Sequence, residues 1–91
     1  MGFEWPDWAF AHLIGIGPRE VRQVLEGARR WPRIADDGHV TVLSVWGRTG
    51  TGRPLIVATR QQDQWTWLII GAREMRADEL KMFEEWEQEN G

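Results

Sequence analysis

The sequence has no cysteine, which removes the disulfide frame that would point to an oxidising compartment. Its one serine, Ser44, stands in a strand-like stretch with no Gly-x-Ser-x-Gly turn around it, which excludes a serine triad. The two histidines, His12 and His39, form no His-x-x-x-His pair, so zinc lacks the three or four ligands it needs. Asp36 and Asp37 adjoin in a glycine-containing loop and read as solvated turn residues rather than a magnesium site. No metal and no cofactor is expected. Long apolar runs are absent too. The longest, such as Leu68-Ile69-Ile70, are strand-sized against the roughly 18 residues that span a bilayer. The opening Met1-Gly2-Phe3-Glu4-Trp5-Pro6 carries neither the basic start nor the apolar core of a secretory leader. The expected compartment is the cytoplasm, with no membrane partner.

What is present is an ordinary globular composition: 91 residues, 42% hydrophobic and 27% charged. One domain of this size buries about 60–65% of its unfolded surface. Lys81 is the single lysine beside ten arginines, and arginine suits bidentate contacts with phosphate and carboxylate. Residues 1–76 hold those ten arginines against eight acids, a net +2, whereas residues 77–91 hold Lys81 against six acids, a net −5. The body is mildly basic and the tail acidic. An overall pI of ≈ 5.3 argues against strong non-specific nucleic-acid binding, which needs a broad positive field.

The pattern predicts an α+β domain spanning residues 1–91, with a helix pair over 6–31, a sheet over 39–73 and an acidic helix over 77–89. Pro6 suits a first helical turn, and Trp8, Phe10, Ala11, Leu13 and Ile14 follow as a short helix that ends near Gly15. Gly15-Ile16-Gly17-Pro18 connects to a second helix, in which Val21, Val24, Leu25 and Ala28 form one apolar stripe. Trp31-Pro32 is expected to end the helical region. The stretches 39–48, 54–60 and 65–72 read as three strands, and their short connections require antiparallel neighbours. Phe3–Trp5 is available as a fourth, edge strand. Asp78 is expected to cap the last helix, where Leu80, Phe83 and Trp86 recur at three-residue steps.

Gly47-Arg48-Thr49-Gly50-Thr51-Gly52-Arg53 lacks the Gly-Lys-Ser/Thr ending of a phosphate loop and precedes a strand, so it reads as a flexible hairpin connection. Gly15-x-Gly17 between two helices resembles a helix-hairpin-helix element, whose backbone N–H groups can meet a DNA phosphate.

Taken in order, three patches resemble the BrnT-type toxins, which share the RelE-like ribonuclease fold. Phe3-Glu4-Trp5 is similar to the family's Phe-x-Trp-Asp start. Gly15-Ile16-Gly17-Pro18-Arg19-Glu20-Val21 is similar to its Gly-Ile-x-x-Glu-Glu-Val helix entry. Gly47-Arg48-Thr49, Gly52-Arg53-Pro54-Leu55 and Ile69-Ile70-Gly71-Ala72-Arg73 with Glu79 are similar to its Gly-Arg-Thr, Gly-Arg-x-Leu and Ile-Ser-Ala-Arg-x-x-x-x-x-Glu series. The resemblance covers nearly the whole chain. It departs at Leu13-Ile14, where the family usually has a Lys-His pair, and His12 is displaced from that position by a turn of about 100–200° on a helix.

The resemblance implies the toxin of a toxin–antitoxin pair, a metal-independent endoribonuclease that uses the RNA 2′-hydroxyl as nucleophile, with RNA as substrate and a cognate antitoxin as protein partner. Arg48 and Arg73 match family positions and could stabilise charge growing on the phosphate. Arg60 could complete the group, Glu79 also matches a family position, and His39 is of the residue type suited to proton transfer. Arg53 and Arg76, with Trp65 and Trp67 as stacking surfaces, are the candidate RNA contacts. Strand alternation puts Arg73 on one face with Trp65, Trp67 and Ile69. The alternative is a non-catalytic protein- or nucleic-acid-interaction module, which seven tryptophans would serve as anchors. In either case the acidic tail could fold over the arginine-bearing sheet as an internal phosphate mimic. A homodimer is left open.

Overall fold

The computed structural model describes residues 2–6, 8, 13, 15–36 and 38–90. Five strands and two helices follow in the order β1 (Gly2–Glu4), α1 (Pro18–Glu26), β2 (Trp31–Asp36), β3 (Thr41–Arg48), β4 (Pro54–Gln61), β5 (Thr66–Glu74) and α2 (Ala77–Asn90). The sheet order is β1-β5-β4-β3-β2. β2 through β5 pair antiparallel, and β1 pairs parallel to β5.

This corrects the expected RelE-like layout of two N-terminal helices on an antiparallel sheet of three or, with the edge strand, four strands. The sheet is mixed and has five strands. The residues expected to close the helix pair form β2 instead. Pro32 marks β2 as an edge strand, where a missing N–H costs no ladder bond. Helix α1 stops at Glu26 rather than near Trp31. Gly27 follows it in an extended conformation, and Ala28 lies in the turn beyond. The expected first helix runs through residues 9–12 and 14, which lie outside the described residues, as do His12 and Asp37.

The two sheet faces are covered by different helices. On one, Leu43, Val45, Leu55, Val57, Trp67 and Ile69 pack against Val21, Val24 and Leu25 of α1. Gly47 permits this closeness, since a Cβ there would lie 3.1 Å from Val24 Cγ1. Thr59 is buried on the same face, and its hydroxyl donates to the Leu43 carbonyl at 2.9 Å. On the other face Trp46 and Ile56 enclose Phe83 of α2, with Trp31, Met75 and Trp86 around them. Trp86 stacks on Trp31, centroids 5.6 Å apart with the planes 7° from parallel. Full burial of Phe83 contributes about 1.5–3 kcal/mol, which fixes α2 across the strands from β5 toward β2.

A bulge decides which residues share these faces. Ala58 pairs with Gly71 but Thr59 pairs with Ile69, so Ile70 is the extra residue of β5. One inserted residue reverses the alternation. Trp67 and Ile69 therefore face α1, while Arg73, opposite Ile56, faces α2. The expectation that Arg73 shares a face with Trp67 and Ile69 is corrected accordingly.

Candidate functional site

Four strand-borne arginines belong to the α2 face. Arg48 lies opposite Pro54, Arg73 opposite Ile56, Arg33 opposite Ser44 and Arg60 opposite Leu68. Two of them are held by the acidic helix. The Arg48 Nε and Nη2 donate to the two carboxylate oxygens of Glu87 at 3.0 and 2.9 Å, and Glu84 stands 3.9 Å away. The Arg73 Nη1 and Nη2 donate to the two oxygens of Glu79 at 2.6 and 2.7 Å. Such forked pairs are the strong form of the arginine–carboxylate contact.

Glu79 also accepts the backbone N–H of Arg76 at 2.9 Å. That bond closes the first turn of α2 from the third helical position, a task expected of Asp78. The Arg73 guanidinium, seconded by the Arg76 N–H, holds the Glu79 carboxyl well below its ordinary value, at about 2. The Glu87 carboxylate raises Arg48 further above the usual arginine value, and Glu79 does the same for Arg73. Arg76 itself is largely exposed, its Nε 3.6 Å from Glu79.

Arg53 is tied into the other side of the sheet. Its guanidinium donates to Glu74 at 2.6 Å, to both oxygens of Glu20 at 3.2 Å and to the Gly15 carbonyl at 2.8 Å. Glu20 accepts the Gly17 N–H at 3.1 Å, and this bond, followed by Arg53, lowers its pKa. The knot fastens the turn before α1 to β4 and β5. It also occupies the Gly17 N–H that a hairpin contact with DNA would use. The 49–53 turn is pinned rather than flexible: the Gly50 N–H donates to Gln23 of α1 at 2.9 Å, and Thr49 and Arg53 close the hairpin at 2.9 Å.

The opposite end of the sheet holds a different group. The distance along the strands from the Glu74 row to the Trp67 row is about 20 Å, six residues at the strand rise. There His39 and Arg60 line one open, polar cleft of ≈ 560 Å³ together with Val40, Thr41 and Gln61–Gln64. Asp36 anchors one wall by accepting from the Gly38 N–H at 2.8 Å and the Thr41 hydroxyl at 3.1 Å. Asp63 anchors the other by accepting the N–H groups of Trp65 and Thr66 at 2.8 and 2.9 Å. The Trp65 N–H, first among these bonds, lowers the pKa of Asp63. The turn presents Trp65, a residue 67% exposed.

The sequence-predicted residues thus separate into two places. Arg48, Arg73, Arg76 and Glu79 gather at α2, with Arg53 in the knot beside them. His39 and Arg60 gather at the far cleft, near Trp65. Trp67 is 6% exposed and packs in the α1 core, out of reach of a base. Sequence reasoning missed Glu87, whose role as the carboxylate for Arg48 depends on a 39-residue separation. The polar run Gln61-Gln62-Asp63-Gln64 reads from sequence only as the turn between two strands, and its place in a cleft is added by the structure. Among the described residues no three His, Asp or Glu side chains group as a metal site, and no helix is long and apolar enough to cross a membrane.

No family model matches the chain, and no curated protein matches it significantly.

Proposed function

We propose that the protein binds single-stranded RNA at the His39–Arg60 cleft and cleaves it without a metal, as the toxin of a cytoplasmic toxin–antitoxin pair. The observation that carries this reading is the presence of an imidazole and a guanidinium in the walls of one open cleft. The chemistry needs those two groups. His39 accepts the 2′-hydroxyl proton as the oxygen attacks phosphorus, and the bond to the 5′-oxygen breaks, that oxygen taking a proton from water, leaving a 2′,3′-cyclic phosphate. Arg60 stabilises the charge that grows on the phosphoryl oxygens. Trp65 offers an exposed ring on which an unpaired base stacks. Arg48, Arg73 and Glu79 act here through structure, because their charges are already matched.

The test is cleavage of a labelled single-stranded RNA in EDTA by the full chain and by His39→Ala and Arg60→Ala. The reading expects a 2′,3′-cyclic product, lost by at least 100-fold in either variant. Cleavage that survives both substitutions, or no cleavage by the folded protein, sinks it.

A second reading, a non-catalytic interaction module, is favoured by one observation. The three arginines at family motif positions, Arg48, Arg53 and Arg73, each hold a carboxylate. RNA or protein binding without product formation is its signature.

A further inference from the structure

The α2 face is only partly occupied by α2. The helix lies across the row Trp31–Trp46–Ile56–Arg73, where Glu79 meets Arg73, Phe83 meets Trp46 and Ile56, and Trp86 meets Trp31. The next row on this face is Arg33–Ser44–Ala58–Gly71, and the one after it is Ala35–Val42–Arg60–Leu68. The middle of the first of these rows consists of small side chains. A trough of ≈ 370 Å³ opens there, lined by Ile56, Ala58, Ile70, Gly71, Ala72 and Arg73.

Same-face rows are about 7 Å apart, and packed helices lie 8–10 Å apart. A second helix beside α2 would therefore sit just beyond Ser44, Ala58 and Gly71, where small residues let its backbone approach. Met82 of α2 would meet such a helix. On the helical wheel it falls on the flank of α2 opposite Glu84 and Glu87, the acids turned toward Arg48, and it is exposed.

Charge selects the occupant. α2 satisfies Arg48 and Arg73 with carboxylates, whereas Arg33 and Arg60 meet no carboxylate among the described residues. Arg33 instead lies over the rings of Trp31 and Trp46, 4.7 and 5.2 Å from their centroids. The trough itself lies on β4 and β5, but the row that contains it ends at Arg33 on β2, and Arg60 stands in the row beyond, so a helix laid along the row would pass both cations.

We propose that this trough is the seat of an amphipathic helix with an acidic flank, contributed by a partner protein and laid alongside α2. The seat shares Arg60 with the far cleft but does not depend on RNA cleavage there. α2 itself shows the chemistry that fits: an apolar stripe flanked by glutamates, docked on the neighbouring row.

The probe is a stapled helical peptide of the Ala77–Asn90 sequence, titrated into the ¹⁵N-labelled full chain at low salt. The expected result is saturable shifts of the Ser44, Ala58, Arg60 and Gly71 amides. Affinity should fall at least tenfold in Arg60→Glu, an exposed position that spares the fold, and in Ala58→Trp, which fills the trough. A peptide with its glutamates replaced by lysine should not bind. The proposal is overturned by an absence of saturable shifts, or by shifts centred on Arg48 and Phe83, which mean exchange with α2. It is also overturned if the same amides move with protein concentration alone, which assigns the trough to a second copy. Equally, if oligouridylate moves them and the peptide does not, the trough belongs to nucleic acid. RNA cleavage is measured separately, so loss of either reading leaves the other standing.

Discussion

Glu79 grips Arg73 through both carboxylate oxygens while the same side chain closes the first turn of α2. One residue therefore joins the end of β5 to the start of the helix that covers the sheet. Its side chain is 14% exposed and that of Arg73 is 47% exposed, so solvent weakens the pair without removing it. Glu79→Gln is expected to cost about 1–2 kcal/mol at pH 7, less than the full shift in pKa implies. Urea denaturation of both proteins measures it.

The pH dependence has a definite sign. A carboxyl held below its ordinary value stabilises the fold when ionised, because the unfolded chain binds the proton more readily. The Glu79 contribution is fully present above its ordinary value of 4.5 and is lost as pH falls toward about 2. The difference in stability between the wild-type protein and Glu79→Gln should shrink steadily across that window. A difference that stays constant between pH 5 and pH 2 would show that the carboxylate's charge is not what matters.

Much of this arrangement was legible in the chain, and the parts that were not have physical reasons. The Val21, Val24 and Leu25 stripe and the Leu80, Phe83 and Trp86 steps announce α1 and α2, since helical period survives in short stretches. The −5 tail announces an acidic helix, and its docking on an arginine-bearing face follows from the charge asymmetry. β2 stayed hidden because Pro32 and Arg33 break a strand pattern, and because an edge strand needs little apolar character. The direction of β1 was equally hidden, because parallel pairing with β5 is a long-range contact with no local signal. The candidate site suffered most from Ile70. A bulge has no signature in an apolar run such as Leu68-Ile69-Ile70, yet it places Arg73 opposite the face of Trp67.

The two carboxylate locks on the α2 face should also govern its affinity for polyanions. Glu79 and Glu87 each neutralise an arginine that points toward the same side of the sheet as Arg33 and Arg60. A Glu79→Gln/Glu87→Gln double variant is expected to bind oligouridylate several-fold more tightly than wild type. The slope of log affinity against log salt should steepen by about 0.7 for each phosphate newly contacted. Filter binding over a salt series reads both quantities. An unchanged slope would mean that the freed guanidinium groups do not reach a nucleic-acid backbone.

Gly47 stands between Trp46 and Arg48, and its role is steric. A Cβ at this point would lie 3.1 Å from Val24 Cγ1 of α1 and 3.9 Å from the Arg30 Cα. Gly47→Val must push α1 outward or distort β3, at a cost of about 1–3 kcal/mol for overpacking. Thermal denaturation should show a lowered midpoint. Because Gly50 is tied to Gln23 of the same helix, the displacement should also loosen the 49–53 turn, seen as faster amide exchange at Gly50 and Gly52. The His39–Arg60 cleft lies at the other end of the strands, so any activity it has should change little per folded molecule. A loss of activity exceeding the loss of folded protein would place the working site at the Gly47 end of the sheet and transfer the argument to Arg48 and Arg73.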